Sequence, residues 1–170
     1  VKDGGTLAVV PPAMENRGGY TSLFQNLNLT ASFTGSGQAK TNLAAPDPKN
    51  PFFQSIFSDY DPKLQMPAAA RKVAWSRASD DILKFRGGAS FLSRFDRGNG
   101  HVYLMAAPLD EEFSTLPNHA LFVPIMYRLA IGSYKQSQQL SYSLSGETIQ
   151  LPATNLTNKE GVYKLQRDTL

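Results

Sequence analysis

Apolar and polar residues alternate through the middle of the chain, and this pattern predicts a series of β-strands. Three segments carry the alternation: Ile82–Phe85, Ala89–Phe95 and His101–Ala107. Alternation places every second side chain on one face of a sheet. Gly87-Gly88 separates the first two segments, and Asn99-Gly100, a dipeptide typical of tight hairpins, lies before the third. We therefore predict an antiparallel meander of three strands.

Two further segments predict strands outside the meander. Thr6–Val10 is a continuous apolar run between glycines and prolines, which is typical of a strand buried on both faces of a parallel sheet. Lys72–Arg77 predicts another strand around Val73 and Trp75, and we place Trp75 in the core.

Helical spacing of apolar residues predicts three helices. Tyr20–Leu27 is short, and Asn50–Phe57 begins with a capping Asn followed by Pro. The longest helix is predicted over Leu116–Ile131, with Ser114 or Thr115 as its cap and a kink at Pro124.

The order of these elements predicts an α/β fold with a change of character after Gly132. A polar linker follows that glycine, and the short apolar stretches beyond it indicate strands of a second unit. We assign residues 1–133 to an α/β domain and residues 134–170 to a linker and the start of a β-rich domain. Gly4-Gly5 before a strand is typical of a chain that continues from a helix, so we expect a fragment of a longer protein.

Charge and composition narrow the classes of partner. The chain has 17 Lys and Arg residues against 14 Asp and Glu residues, and these are scattered rather than clustered, so nucleic acid is not an expected partner. No run approaches the roughly 18 apolar residues that span a bilayer. The chain contains no Cys, which excludes disulfides, thiolate metal sites and a cysteine nucleophile. We expect no cofactor and no bound metal.

One group of residues has the composition of a reactive site. Asp110, Glu111 and Glu112 follow the predicted strand His101–Ala107, and His119 lies a short distance beyond them. In open α/β sheets ligands bind near the carboxyl ends of strands, where such groups could hold a divalent cation or polarise a water molecule. Acidic residues ahead of a helix also favour its positive end and remain solvated. We favour this structural interpretation and treat the four residues as weak candidates for a binding site.

Five segments, taken in order, resemble a known family. They are Gly4-Gly5-Thr6-Leu7, Asn50-Pro51-Phe52-Phe53, Gly98-Asn99-Gly100-His101-Val102-Tyr103, Pro108-Leu109-Asp110-Glu111-Glu112-Phe113 and His119-Ala120-Leu121-Phe122-Val123-Pro124. Together they resemble the class I glutamine-amidotransferase-like domain of BatA-type, aerotolerance-related membrane-anchored proteins of Bacteroidetes-type bacteria.

The resemblance implies the carboxyl-terminal portion of a flavodoxin-like, three-layer domain, with its first strands upstream of this chain. A working enzyme of that superfamily needs a cysteine nucleophile and a His-Glu pair. This chain has no Cys, and its two histidines, His101 and His119, belong to no His-x-Glu pattern. No catalytic residue is therefore carried over from the family.

These observations lead to two hypotheses about function. The first is a non-catalytic interaction or structural module of a larger membrane-anchored protein. Its partners would be other proteins of a membrane complex, with a homodimer left open, and its membrane segments would lie outside this chain. The resemblance implies association with the inner membrane on the periplasmic side, with a cytoplasmic location left open. The alternative is a hydrolase or sugar-processing enzyme with its site near Asp110.

Overall fold

A four-stranded mixed sheet forms the centre of the protein. The computed structural model describes residues 1–13, 17–35, 39–53 and 65–132. The elements in chain order are β1 (Thr6–Val9), α1 (Arg17–Asn26), β2 (Ala31–Phe33), β3 (Thr41–Asn42), β4 (Ala68–Ala69), β5 (Val73–Trp75), β6 (Asp80–Lys84), β7 (Ser90–Arg97), β8 (Gly100–Met105), a 3-10 turn (Leu116–Asn118) and α2 (Phe122–Ile131). The predicted α/β class is confirmed.

The sheet order is β1-β8-β7-β6, and its last three strands are the predicted antiparallel meander. Arg97 pairs with Gly100 at the tip of the β7–β8 hairpin, so the predicted reversal is confirmed. Its turn contains Gly98, whose φ of 61° lies in the left-handed region that favours glycine. β1 joins the sheet at the other side of β8 and runs parallel to it. Two small antiparallel ladders, β2–β5 and β3–β4, flank this sheet.

The two helices pack on opposite faces of the sheet. Side chains alternate along β8, so Val102 and Leu104 face one side and Tyr103 and Met105 face the other. Val102 and Leu104 lie in a buried cluster with Phe24 of α1, together with side chains of β1, β5 and β7. Tyr103 and Met105 lie in a second cluster with residues of α2. The core is therefore split into two layers by the sheet.

Aromatic residues make up much of the core. Phe91 and Phe95 are fully buried, and Trp75 is partly buried against both clusters. Phe53 is also buried, and the Asn50 side chain accepts a hydrogen bond from the Phe52 N–H at 2.9 Å, as a cap does. The rest of the predicted Asn50–Phe57 helix lies outside the described residues.

The last helix begins later than predicted. Leu116–Asn118 forms a 3-10 turn, Thr115 makes no side-chain cap, and α2 starts only at Phe122. Pro124 consequently falls in the first turn of α2, where a missing N–H breaks no intrahelical hydrogen bond. The predicted kink at Pro124 is therefore wrong.

β1 is also less enclosed than predicted. Only Val9 of its four residues is buried, and Ala8 is exposed. The prediction of a strand buried on both faces is wrong for the described part of the chain. The apolar run does form a strand. In the described structure, however, β8 is the only strand that pairs with β1.

The first five residues lie against the β7–β8 hairpin tip. The N–H of Asn99 donates to the Lys2 carbonyl and the N–H of His101 donates to the Gly5 carbonyl, both at 3.0 Å. A Cβ at Gly100 would lie 2.6 Å from the Gly5 carbonyl oxygen. Glycine at position 100 therefore allows the two backbones to approach closely.

The described residues belong to a unit that spans Val1–Tyr134. The linker and β-rich segment predicted for residues 134–170 lie outside the described residues. The division of the chain at residue 133 stays a prediction.

Candidate functional site

The acidic segment after β8 forms a local turn. Asp110 Oδ1 accepts the N–H of Glu112 at 2.9 Å, and the Asp110 carbonyl accepts the N–H groups of Phe113 and Ser114. Asp110, Glu111 and Glu112 are all exposed to solvent. The Asp110 carboxylate thus shapes the backbone that carries it, as short acidic side chains do in turns.

Glu111 makes two contacts of different kinds. Its Oε1 accepts a hydrogen bond from Asn118 Nδ2 at 2.7 Å, and its backbone carbonyl accepts one from Lys40 Nζ at 2.9 Å. The side-chain bond ties the acidic turn to the 3-10 turn before α2. The contacts of Glu111 are therefore those of a surface loop.

His119 is held by both of its ring nitrogens. Nε2 lies 2.7 Å from the Gln65 carbonyl, which can only accept, so Nε2 donates. Nδ1 accepts the N–H of Leu121 at 3.1 Å. This pair of bonds selects the neutral tautomer with its proton on Nε2. The ring therefore satisfies a backbone N–H just before α2, and neither nitrogen is directed at the acidic turn.

The four weak candidates do not form a ligand set. Within the described residues, no group of three or more His, Asp or Glu side chains is placed to hold a metal ion. His101, the other histidine, lies 2.9 Å from Asp96 at the hairpin, on the opposite end of β8. Asp110 and Glu111 contact residues of the same segment, whereas His119 contacts the distant Gln65 carbonyl, so the sequence proximity of Asp110 and His119 does not become a shared pocket.

One carboxylate is enclosed by side-chain hydrogen bonds within the sheet. Asp80 and Asp81 both lie in β6. Asp81 Oδ1 accepts hydrogen bonds from Ser93 Oγ at 2.6 Å and from Ser90 Oγ at 2.7 Å. Lys84 Nζ lies 3.6 Å from the other carboxylate oxygen.

Ser93 connects this carboxylate to the core. Its side chain is fully buried, and its Oγ accepts the indole N–H of Trp75 at 2.9 Å while its own hydroxyl donates to Asp81. The chain of donors therefore runs from Trp75 to Ser93 to Asp81. We call these residues, together with Ser90, the Asp81 network.

The ionisation of Asp81 reflects these contacts. Burial is the largest single influence and raises the pKa of its carboxyl. The hydrogen bonds from Ser93 and Ser90, together with the charge of Lys84, favour the carboxylate and outweigh burial. The net result is a pKa below the ordinary value of 3.8.

The Asp81 network has the chemistry of a structural element. A serine nucleophile needs a base that takes its proton and access for a substrate. The buried Ser93 hydroxyl instead donates to a carboxylate whose lowered pKa makes it a poor base, and it shares its oxygen with Trp75. The sequence does contain a clue, because Phe91, Ser93 and Phe95 alternate on one face of β7. A serine between two core aromatics requires a buried partner.

Tyr103 marks a second polar region at the edge of the other core cluster. Burial raises the pKa of its phenol, and the charge and hydrogen bond of Arg94, its cross-strand neighbour, partly offset that rise. Arg94 Nε lies 3.1 Å from Asp96 Oδ1, and the Asn50 amide lies 3.4 Å from the Asp80 carboxylate. Arg94 and Asp96 pair within β7, whereas the Asn50 amide reaches β6 from a loop.

The outer face of α2 is apolar and open to solvent. Val123 is 70% exposed, Tyr127 is 62% exposed and Ile131 is 38% exposed, and each follows the last by four residues. Ile125 and Leu129, on the opposite side, are buried in the core. A helix that is apolar on all sides is normally covered on all sides. We call Val123, Tyr127 and Ile131 the α2 stripe, and it is the feature of the described structure that best fits an interaction surface.

Comparison with known protein-family models, curated proteins and solved structures gives no match to this chain. In the part of the chain that the structure describes, none of the helices combines the length and apolar character needed to cross a bilayer.

Proposed function

We propose that this chain is a non-catalytic interaction module of a larger membrane-anchored protein. Its partner is an amphipathic helix of another protein of the same membrane complex, which docks on the α2 stripe. The exposure of Val123, Tyr127 and Ile131 is the observation that carries the proposal. The sequence resemblance to the flavodoxin-like, amidotransferase-like domain of BatA-type proteins supports the membrane setting and a periplasmic location at the inner membrane.

The shape of the stripe favours a helix as its occupant. Three side chains at four-residue spacing form a straight ridge that extends about 12 Å along α2. Ridges of this spacing pack against the grooves of a second helix. Amphipathic helices bind in grooves through apolar anchors that recur every three or four residues, and the α2 stripe has a spacing of this kind.

The size and chemistry of the stripe also restrict the partner. Stable dimers of ordinary size bury about 800 Å² on each partner, which is more than three side chains provide. A single docked helix needs less. Tyr127 lies in the middle of the stripe, and tyrosine is enriched among the residues that contribute most to binding.

Photocrosslinking in the full-length protein, in its own cells, tests this docking. A photoreactive phenylalanine analogue replaces Tyr127 in one strain and the exposed Arg86 in a control strain. We expect an adduct from position 127 alone. Mass spectrometry should map it to a partner helix whose crosslinked residues are three or four positions apart, and Val123→Asp should abolish it. An adduct that persists in that variant, or equal adducts from both positions, contradicts the proposal.

A complementation experiment tests the non-catalytic part. Full-length protein carrying Asp110→Asn, Glu111→Gln and Glu112→Gln should support growth as well as the unmodified protein, because these amides keep the shape of the turn. Tyr127→Ser together with Val123→Asp should impair growth while protein abundance stays unchanged. The reverse pattern would favour the hydrolase hypothesis.

A further inference from the structure

The sequence contains one Asn-Gly dipeptide, and it lies at the tip of the β7–β8 hairpin. Asn99 is exposed, and Gly98 and Asn99 are the two central residues of the turn. In an Asn-Gly pair the backbone nitrogen of the glycine can attack the asparagine side-chain carbonyl, because glycine has no side chain to obstruct the approach. The turn therefore presents a chemically reactive amide to solvent.

The hydrogen bonds of the hairpin restrain the attacking nitrogen. The Ala106 N–H donates to the Phe91 carbonyl, and pairs that exchange hydrogen bonds recur at every second position of an antiparallel ladder. The register between β7 and β8 carries this alternation without a shift to Arg97 and Gly100, so the Gly100 N–H donates to the Arg97 carbonyl. Attack on the Asn99 side chain requires this bond to open.

Residues 1–5 add a second restraint from outside the hairpin. The Asn99 N–H donates to the Lys2 carbonyl at 3.0 Å, so the backbone of the reactive residue is bonded to a segment that is distant in sequence. A Cβ at Gly98 would lie 2.5 Å from the same carbonyl oxygen. The turn therefore fits against residues 1–5 without space for any added atom.

We propose that Asn99 is a site of spontaneous deamidation and that opening of the hairpin tip sets its rate. The Gly100 nitrogen loses its proton and bonds to the side-chain carbonyl carbon of Asn99. The bond from that carbon to Nδ2 breaks, ammonia leaves, and a cyclic imide remains. Water then adds to either carbonyl of the imide and opens the ring, which gives aspartate or isoaspartate at position 99.

The isoaspartate product is incompatible with the contacts of the tip. Its backbone passes through the former side chain and is longer by one methylene carbon, whereas the turn has no space for an added atom against residues 1–5. The bonds from the backbone of residues 99 and 101 to the Lys2 and Gly5 carbonyls cannot both be kept. Isoaspartate at position 99 therefore weakens the pairing of β1 with β8. This reaction is independent of helix docking on the α2 stripe, because it involves no residue of that stripe.

Peptide mapping by mass spectrometry tests the site. The full chain is incubated at mildly alkaline pH, folded or in denaturing guanidinium chloride, until Asn99 of the unfolded chain is converted. We expect deamidation at Asn99 in both samples, at least about tenfold slower in the folded one, because the bonds to Arg97 and Lys2 must open first. Asn28 is the internal control. It is also exposed but precedes Leu29, so it should stay unmodified. Equal rates at Asn99, or no product there in the folded chain, overturn the proposal.

Two glycine substitutions separate opening of the tip from the reactivity of the dipeptide. Gly98→Ala leaves Asn99 and Gly100 unchanged, but its Cβ would meet the Lys2 carbonyl oxygen, and the φ of 61° at this position disfavours alanine. We expect a rate at Asn99 at least about threefold higher in the folded chain and unchanged in guanidinium chloride. Gly87→Ala, in the β6–β7 turn, is the matched control, because a Cβ there lies in open space, and both rates should stay the same.

Circular dichroism reports whether each variant retains the fold. A folded Gly98→Ala chain that deamidates no faster than the unmodified chain overturns the control by tip opening. Hydrogen exchange of the aged chain, separated by ion exchange, measures the consequence of the modification. Peptides that cover β1 should exchange faster in the isoaspartate form than in the unmodified chain, and equal exchange contradicts the expected loss of pairing.

Discussion

The Asp81 network and the acidic turn after β8 contain the same kinds of groups in opposite settings. Asp81 receives two serine hydroxyls, one of them fully buried and bonded to the Trp75 indole. The turn contains three carboxylates in a row, yet Asp110 binds its own backbone and Glu111 binds a nearby amide. Three carboxylates that are adjacent in sequence thus remain exposed in the acidic turn. By contrast, Asp81, which is bonded to two serines, lies at the edge of the core.

The difference shows what encloses a carboxylate in this fold. β6 and β7 are adjacent strands, so Asp81 and Ser93, which pair across the ladder, face the same side of the sheet. The acidic turn lies beyond the end of β8, and the side chains of Asp110, Glu111 and Glu112 are exposed there. Cross-strand neighbours, rather than neighbours along the chain, determine whether a polar side chain is buried here.

The largest expected effect in this comparison comes from Ser93→Ala. It removes the acceptor of the Trp75 N–H and one donor to Asp81, and a buried group without its partner costs about 1–3 kcal/mol. We expect the free energy of unfolding to fall by about 2 kcal/mol in urea titrations. Ser90→Ala is the control, because the Ser90 hydroxyl donates to Asp81 but is not the acceptor of the Trp75 N–H, and its effect should be about half as large. Equal losses from both substitutions would show that the Trp75 bond adds nothing.

Acid titration tests the Asp81 network through the pKa of the Asp81 carboxyl. Because the pKa is lower in the folded protein than the ordinary 3.8, the carboxylate stabilises the fold at all pH values above 3.8. That contribution is lost as the pH falls from 3.8 through the folded pKa. We therefore expect the stability difference between the unmodified protein and Asp81→Asn to shrink below pH 3.8.

The smallest effect is expected for Glu111→Ala. The side chain is exposed and makes a single hydrogen bond to Asn118, so unfolding free energy should change by less than about 0.5 kcal/mol. Thermal unfolding monitored by circular dichroism measures it. If the free energy of unfolding fell as much as it does for Ser93→Ala, the bond between Glu111 and Asn118 would be important for holding α2 in place. The acidic turn and the Asp81 network would then contribute equally to stability.

Local patterns predicted the parts of the fold that depend on local contacts. The meander followed from alternation and from the Asn99-Gly100 dipeptide, and α1 followed from apolar spacing. The start of α2 was misplaced because a 3-10 turn and an α-helix share apolar residues at similar intervals, and Pro124 fits a first turn as well as a kink.

Contacts between segments that are distant in sequence could not be predicted from such local patterns. Pairing of β1 with β8 and of β2 with β5 depends on which strands meet in space. The same holds for the candidate site. His119 and the acidic residues were found by composition, but the Gln65 carbonyl that holds the His119 ring comes from a remote loop. Ser93 lies between Phe91 and Phe95 in the alternating pattern of β7, and this position indicates a buried side chain.

The contact between the first five residues and the hairpin tip has a consequence for the order of folding. Strands β6, β7 and β8 are joined by short turns, so they can pair early in folding. β1 is distant from them in sequence, so its pairing with β8 closes a long loop and is expected later. The strand completes the sheet only when the Gly5 carbonyl reaches the backbone beside Gly100. We expect this contact to limit the rate at which β1 pairs with β8. A bulkier residue at position 100 should therefore slow the pairing of β1 and leave formation of the β6–β7–β8 meander unchanged.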